Sequence, residues 1–215
     1  MTESLLLFIE QMCRRYGIDE SHGVKHAFGT MVRADQILTT LLPTVDEDER
    51  RMTLFAGALH DTCDHKYTDV EKSTGDTKRW LLEKQGWKEE DADSLVRIIT
   101  TMSYSELKRN TSNGKPVYPM HGKWQRAYHV ARHADLHEGY IVARCVLYNK
   151  HIHPEYSEDA HWTRAEELFQ TRVFTYVSDG WIFMPEALAY VPDLEAEARR
   201  CLRERSLDWP TLFKN

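Results

Sequence analysis

A chain of 215 residues that is 41% hydrophobic can bury a full core, while its formal net charge of −6 provides no global attraction to nucleic acid or to an anionic membrane. Its four cysteines form no C-x-x-C pair, which argues against a zinc ribbon and a dithiol redox site, and no apolar run has the length of a membrane span. We therefore expect one domain, 1–215, in the cytoplasm and without a targeting segment, in which any phosphate binding depends on a local site.

The first two predicted helices have clear boundaries. Residues 3–16 place apolar side chains on one stripe at helical spacing, and Gly17 follows as a helix terminator. Ser21 is a candidate N-cap for a second helix over 23–42, which Pro43 stops.

The third predicted helix ends in an unusual way. It begins with the acidic segment 46–49, and its apolar run, 54–59, is closed by His60 and Asp61. Two side chains that can bind a metal stand where a buried helix would otherwise continue with aliphatic residues, so the doublet needs a chemical reason. We expect the helix to run through Asp64, which then lies one turn from His60 and can face the same cavity.

The rest of the chain predicts five more helices and almost no strand. They are expected over 74–84, 89–102, 124–148, 159–177 and 193–204. The segment 105–122 contains Asn113-Gly114, Pro116 and Pro119, which break helices, so it is expected to be an irregular loop. A long loop of this kind is either a functional lid or disordered.

Metal-binding residue types recur on three of the predicted helices. His26 lies on the second helix, His60 and Asp61 close the third, and Asp135 lies on the longest helix of the second half. Imidazole and carboxylate groups from separate helices can converge in the core of a bundle and bind one divalent ion, leaving positions open for water and substrate. His22, one turn before His26, is interpreted as a supporting or structural residue.

Three segments of this chain resemble the HD-domain metal-dependent phosphohydrolase superfamily. They are Ser21-His22-Gly23-Val24-Lys25-His26-Ala27, Ala58-Leu59-His60-Asp61-Thr62-Cys63-Asp64-His65-Lys66-Tyr67 and Arg132-His133-Ala134-Asp135-Leu136. They are similar to the first histidine helix of the family, its HD doublet and its late aspartate, and they occur in the same order. An HD dipeptide alone is weak evidence, whereas the ordered set in a helical context is fairly specific.

The resemblance implies an all-α fold, an HD-domain helical bundle of about 18–150 with additional C-terminal helices over about 151–215. It also implies that His26, His60, Asp61 and Asp135 ligate one divalent metal ion, which could be Mn, Co, Ni, Mg, Zn or Fe. Family members that hydrolyse nucleotides often place a carboxylate just after the doublet to handle the attacking water.

That position is Asp64 in this chain, followed by His65. We assign Asp64 to orienting or deprotonating the metal-activated water, and His65 is a second candidate for proton transfer. Asp64 could instead only favour the turn that ends the helix.

Phosphoester hydrolysis also needs cations that hold the remaining phosphate oxygens. The candidates for this role are Lys66, Arg132, Arg33, Lys108, Arg109, Lys115 and Lys123. Any one of them could instead belong to the solvated surface. The expected partner is a small phosphorylated molecule, by analogy with the family a nucleotide, rather than a nucleic acid or a membrane. The oligomeric state is left open.

Three alternatives to a mononuclear hydrolase stay open. Without a metal, His60 and Asp61 would be a hydrogen-bonded pair at a helix end. A di-iron oxygenase of the same superfamily would need additional histidine ligands between the doublet and Asp135, and this chain has no histidine between His65 and His121, which favours one metal and hydrolysis. A non-catalytic nucleotide-binding sensor would retain the pocket without forming product.

Overall fold

The computed structural model describes residues 2–112 and 115–209, and these residues form eleven α-helices and one short antiparallel ribbon. The all-α fold class is therefore confirmed. Asn113 and Gly114, named above as helix breakers, lie outside the described residues. Within the described part of the chain, none of the helices combines the length and the apolar character needed to cross a membrane.

The helices are α1 (Thr2–Tyr16), α2 (Val24–Thr40), α3 (Glu47–Leu59), α4 (Val70–Gln85), α5 (Glu89–Thr101), α6 (Tyr104–Arg109), α7 (Gln125–Glu138), α8 (Val142–Ile152), α9 (Glu158–Thr171), α10 (Pro185–Leu188) and α11 (Val191–Glu204). Short 3-10 turns occupy Glu20–His22, His60–Cys63, Gly122–Trp124 and Val173–Thr175. In the ribbon, β1 (Thr111–Ser112) pairs with β2 (Lys115–Pro116) so that Thr111 faces Pro116 and Ser112 faces Lys115.

The helices α2, α3 and α7 form the centre of the bundle, and each packs on the other two. Their apolar side chains divide between two cores. Ala27, Phe55 and Ala131 belong to a core shared with α1 and α5, whereas Leu38 and Val130 belong to a core shared with α8, α9 and α11. The three helices that carry the expected metal ligands therefore form the partition between the two cores.

Several predicted boundaries are confirmed by local interactions. Gly17 follows α1 with a φ of +69°, a conformation that favours glycine. The side chain of Asp46 accepts a hydrogen bond from the backbone N–H of Glu49 and thereby caps α3. The second helix begins at Val24 with Gly23 as its N-cap, so the N-cap role predicted for Ser21 is wrong; Asp19 instead caps the 3-10 turn that contains Ser21.

Two of the longer predicted helices are interrupted. The helix expected over 124–148 is two helices, because the chain leaves α7 at Gly139 and turns before α8 begins at Val142. A Cβ on Gly139 would lie 2.9 Å from the Leu136 carbonyl oxygen, so this tight turn requires glycine. The helix expected over 159–177 ends at Thr171 and continues as a 3-10 turn. The segment 105–122, predicted to be an irregular loop, contains α6 and the ribbon.

The prediction that the third helix runs through Asp64 is also wrong. α3 ends at Leu59, His60–Cys63 form a 3-10 turn, and Asp64 is extended. Side chains take over main-chain acceptors at this point, since Thr62 Oγ1 donates to the Leu59 carbonyl at 2.6 Å. Such local bonds compete with the α-helical pattern and tighten the last turn.

One face of α7 carries His129, His133 and His137 at four-residue spacing, and the last two are fully buried. Burial, together with the nearby charges of Arg132 and His121, lowers the pKa of His129 to about 4. The folded protein therefore holds this imidazole neutral at a pH where an unfolded chain would protonate it.

We predict that the free energy of unfolding falls as the pH drops below about 6.5, because the unfolded chain then binds a proton that folded His129 excludes. This contribution is fully present above the ordinary histidine pKa and is lost as the pH falls toward the folded pKa of about 4. His129→Phe should reduce the slope of unfolding free energy against pH by up to about 1.4 kcal/mol per pH unit.

Urea unfolding at a series of pH values between neutral and mildly acidic measures this slope. His151→Gln, at an exposed position, is the matched control and should leave the slope unchanged. Equal slopes for His129→Phe and the unchanged protein would contradict the prediction.

Candidate metal centre

Four atoms that can ligate a metal meet where α2, α7 and the turn after α3 come together. His26 Nε2 lies 3.2 Å from both His60 Nε2 and Asp61 Oδ2. Asp135 Oδ1 lies 3.3 Å from His26 Nε2 and 3.4 Å from His60 Nε2. His26, His60 and Asp61 are buried and could hold a metal ion. The structure thus brings together the four residues that the sequence singled out.

The hydrogen bonds around the two histidines decide which nitrogens face the centre. His60 Nδ1 donates to the Gly57 carbonyl at 2.8 Å, because a carbonyl oxygen can only accept. His26 Nδ1 lies 3.4 Å from Thr30 Oγ1 and 4.0 Å from the carboxylate of Glu138, so its proton also belongs on Nδ1. A neutral imidazole of this tautomer presents the lone pair of Nε2 to the centre.

With both imidazoles neutral, as metal ligation requires, the centre is composed of acceptors alone: two imidazole lone pairs and two carboxylate oxygens. Asp61 Oδ2 is buried and has no hydrogen-bond partner among the described residues. Donor atoms about 2.0–2.2 Å from a divalent ion lie roughly 3–3.5 Å from their neighbours in tetrahedral or octahedral geometry. The observed separations of 3.2–3.4 Å fit that spacing, so these residues fit a divalent cation.

The electrostatics of the centre also call for a positive charge. Burial by itself would raise the pKa of Asp61 and of Asp135, but His60 and His26 hold both well below the usual range. Burial would lower the pKa of His60, yet Asp61 and Asp135 raise it well above the usual value. Each carboxylate stays ionised because a positive charge lies nearby. A bound metal ion could supply that charge.

A further carboxylate, Glu138, supports His26 from the side away from the centre. It is completely buried one turn after Asp135, and it accepts a hydrogen bond from Arg33 Nε at 3.4 Å. Gly29 leaves the space for it, because a Cβ at that position would lie 2.3 Å from Glu138 Oε2. Sequence reasoning missed Glu138, since a carboxylate one turn from another is common on exposed helices.

Asp64 is buried and lines the same cavity as His60 and Asp61. Its Oδ1 accepts a hydrogen bond from the backbone N–H of Lys66 at 2.9 Å and lies 3.2 Å from His65 Nδ1. Its Oδ2 lies 3.4 Å from Lys66 Nζ and has no hydrogen-bond partner among the described residues. One carboxylate oxygen is thus fixed by the turn, and the other is buried beside the Lys66 ammonium group.

His65, the second candidate for proton transfer, lies outside the cavity lining and is exposed. Its Nε2 accepts a hydrogen bond from Arg109 Nη2 at 2.7 Å. His65 therefore links Asp64 to Arg109 on α6, and both of its ring nitrogens are engaged in this arrangement.

The cations predicted to hold phosphate occupy different environments. Lys66 lines the cavity. Arg132 is buried elsewhere, where it donates to the Trp181 carbonyl and to His133 Nε2, each at 2.8 Å. Arg33 pairs with Glu138, and exposed Lys108 and Lys115 lie outside the cavity lining. The other four side chains are therefore engaged in the interior or exposed outside the cavity lining.

The cavity itself has a volume of about 630 Å³, which is in the range of small-molecule sites. His60, Asp61 and Asp135 line one part of it, and side chains of α8, α9 and the following 3-10 turn line another. Its lining includes Arg144, Arg164 and Arg172, which sequence reasoning did not select. No local signal marks them, because arginines on amphipathic helices are normally solvated.

His22 also lines the cavity, but it does not belong to the converging atoms. Its Nδ1 lies 2.8 Å from the hydroxyl of Tyr67 and 2.8 Å from Ser21 Oγ. The side chain is thus anchored through one nitrogen beside the metal centre.

None of the known protein-family models matches this chain, and no curated protein and no solved structure matches it significantly. The function proposed below therefore depends on the geometry and chemistry of the residues just described.

We predict that a divalent metal such as Mn²⁺ or Co²⁺ raises the melting temperature, since it converts repulsion among four acceptors into attraction. A ligand at about 100 times its dissociation constant stabilises the folded state by about 2.7 kcal/mol. Asp61→Ala should abolish the shift, whereas Asp93→Asn, which alters an exposed ion pair with Lys78, should retain it. A shift of the same size in Asp61→Ala would place the metal elsewhere.

Gly29→Ala should weaken metal binding by about 10- to 100-fold, because the new methyl group displaces the Glu138 carboxylate that supports His26. Calorimetric titration with Mn²⁺ measures the dissociation constant. Gly75→Ala is the matched control, since a Cβ at that helical position meets nothing within 4 Å. Equal metal affinity in the two alanine variants would remove Glu138 from any role at the centre.

Proposed function

We propose that this protein is a metal-dependent phosphohydrolase of the HD-domain type, acting on a small phosphorylated substrate, a nucleotide in the first instance. The observation that carries the proposal is the convergence of His26, His60, Asp61 and Asp135 through acceptor atoms alone, at the wall of a ligand-sized cavity. The free cysteines Cys13, Cys63, Cys145 and Cys201 are compatible with a reducing compartment, and we propose the cytoplasm.

A divalent ion held by these four residues would act as a Lewis acid, making water more acidic and neutralising charge on a phosphoryl group. Mixed imidazole and carboxylate ligation suits first-row ions such as Mn, Fe, Co, Ni and Zn, and Mg is compatible with the carboxylates. We propose one ion, because the described residues contain a single such ligand group.

Asp64 is proposed to take the proton from the attacking water. Asp64 lines the cavity, and its Oδ2 is buried and lacks a hydrogen-bond partner among the described residues. Its Oδ1 is fixed by the backbone of Lys66, so the carboxylate keeps one orientation. The water oxygen then bonds to phosphorus, the ester or anhydride oxygen leaves with the bonding electron pair, and Lys66 Nζ is placed to hold a phosphoryl oxygen.

Two other functions make different predictions with the same protein. A di-iron oxygenase must contain two irons per chain by metal analysis. A nucleotide sensor must be stabilised by a nucleotide without releasing product. Product release from a phosphorylated substrate separates the hydrolase from the sensor as the sole function.

We predict release of phosphate or pyrophosphate from a panel of nucleotides and phosphomonoesters when Mn, Co, Ni or Mg is added. Asp64→Asn should lower kcat by about 10²- to 10⁴-fold, because general base catalysis is lost while the four ligands are retained. Metal affinity, measured by calorimetry, should stay within a few-fold of that of the unchanged protein.

Asp93→Asn on the exposed face of α5 is the control and should keep full activity. Absence of turnover with every metal across the panel would overturn the proposed function. An unchanged kcat in Asp64→Asn would show that Asp64 takes no part in the chemistry. It would not bear on the proposed metal centre.

A further inference from the structure

Three arginines line the cavity without a carboxylate partner among the described residues. They are Arg144 on α8, Arg164 on α9 and Arg172 at the end of α9. Many other arginines of this chain do pair with carboxylates: Arg14 with Glu10, Arg15 with Asp76, Arg50 with Asp35, Arg109 with Glu106, Arg126 with Glu49, Arg199 with Glu195 and Arg205 with Asp159. In a chain with 34 acidic and 28 basic residues, unpaired arginines around one cavity need a reason.

Arg172 is held in a fixed orientation by two tyrosines. Its guanidinium carbon lies 3.8 Å from the centre of the Tyr104 ring, and its Nε donates to the Tyr176 hydroxyl at 3.1 Å. Tyr176 is almost completely buried, so this anchor is rigid. Both terminal nitrogens of Arg172 lack a partner among the described residues, and they remain available to a ligand.

Arg144 is anchored in the same manner, by a residue that lies far earlier in the sequence. Its Nε donates to the Ser21 carbonyl at 2.7 Å, just before α2, and its terminal nitrogens also lack a partner in the described part of the chain. A guanidinium fixed through Nε presents its other donors as a planar fork, which matches the oxygens of a phosphoryl group. Arg164 is exposed, so it is the weaker member of the three.

Both anchored arginines line the same cavity as His60, Asp61 and Asp135, and the charges of both act on the Cys145 thiol. Burial raises the pKa of the Cys145 thiol on α8 to about 11, and Arg172, Arg144 and Arg164 all act in the opposite direction. Burial raises the pKa of the Tyr176 hydroxyl, Arg172 lowers it and Asp135 raises it. One cavity therefore has acidic ligands at one part of its wall and, at another, guanidinium groups with no carboxylate within 4 Å among the described residues, although Glu167 also lines the cavity.

We infer that Arg144 and Arg172 form a second anion subsite, which holds a phosphoryl group next to the one that is cleaved. This inference rests on the proposed function and deepens it: the substrate is a diphosphate or longer polyphosphate ester rather than a simple phosphomonoester. A carboxylate could satisfy the same forks, but the bidentate geometry of two guanidinium groups suits the three oxygens of a terminal phosphoryl group better.

The test uses inorganic pyrophosphate as the probe, titrated calorimetrically into the full-length protein with and without Mn²⁺. The unchanged protein should bind pyrophosphate more tightly than inorganic phosphate. Arg144→Met and Arg172→Met should each weaken pyrophosphate binding by about 10-fold or more, since each removes a charge-assisted pair. Arg203→Met, at an exposed position on α11, is the matched control and should bind as the unchanged protein does.

Equal pyrophosphate affinity in the unchanged protein and in both methionine variants would overturn the subsite, as would binding no tighter than that of phosphate. Phosphonoacetate, which replaces one phosphoryl group with a carboxylate, should bind more weakly than pyrophosphate, and tighter binding would overturn the assignment to a phosphoryl group. If circular dichroism shows that a methionine variant does not fold, the lysine variant at the same position, Arg172→Lys or Arg144→Lys, replaces it in the titration. Lysine keeps the charge but lacks the planar fork of donors, so it too should weaken pyrophosphate binding.

A kinetic comparison keeps this inference separate from the proposed function. Arg172→Met should raise KM for a nucleoside diphosphate by about 10-fold or more and leave KM for p-nitrophenyl phosphate, which lacks a second phosphoryl group, within about two-fold. If no substrate is turned over, the proposed function fails, while the pyrophosphate titration still decides whether the subsite exists.

Discussion

Four side chains that can bind a metal meet at the point where three central helices come together, and their geometry suits a bound cation. With their protons on Nδ1, His26 and His60 direct Nε2 toward two carboxylate oxygens. The contacts from these nitrogens to the oxygens are 3.4 Å or shorter. Repulsion among acceptors is strong in a buried place, where the effective dielectric constant is low. A cation bound at the centre would turn that repulsion into attraction and would link α2, α7 and the turn after α3.

Two glycines allow the helices to come close enough for this geometry. A Cβ on Gly57 of α3 would lie 3.3 Å from Thr30 Cγ2 of α2, and the carbonyl of the same Gly57 accepts the His60 proton. Gly29 of α2 leaves the space that the buried Glu138 carboxylate of α7 occupies. Small residues at these contacts therefore serve packing and ligand orientation together, so a substitution at either one changes both.

The sequence predicted which side chains meet at this point, because their chemistry is visible without coordinates. A histidine and an aspartate close the apolar run 54–59, where a buried helix would otherwise have apolar side chains. This mismatch between polarity and burial indicates the candidate metal centre. Phosphate-binding cations offer no such conflict. Arg132 does lie one turn before Asp135 on α7, but the carbonyl of Trp181, almost 50 residues later, draws it into the core. Contacts between residues so far apart in sequence leave no local pattern from which to predict them.

The C-terminal helices complete the cavity, which makes them part of the proposed site rather than an appendage. Arg172 and the Tyr176 that anchors it follow α9, while the metal ligands all lie before α8. An anion in the cavity would meet the metal centre at one part of the wall and guanidinium groups at another, so the field favours an extended, multiply charged ligand over a compact one. With a metal ion at one place and guanidinium groups at the other, the cavity would also fix the direction in which the substrate binds, because the reacting phosphoryl group must be the one that reaches the metal ligands. Under the proposed function, the HD-type core supplies the chemistry, and the C-terminal helices determine which phosphate ester enters and how it is oriented.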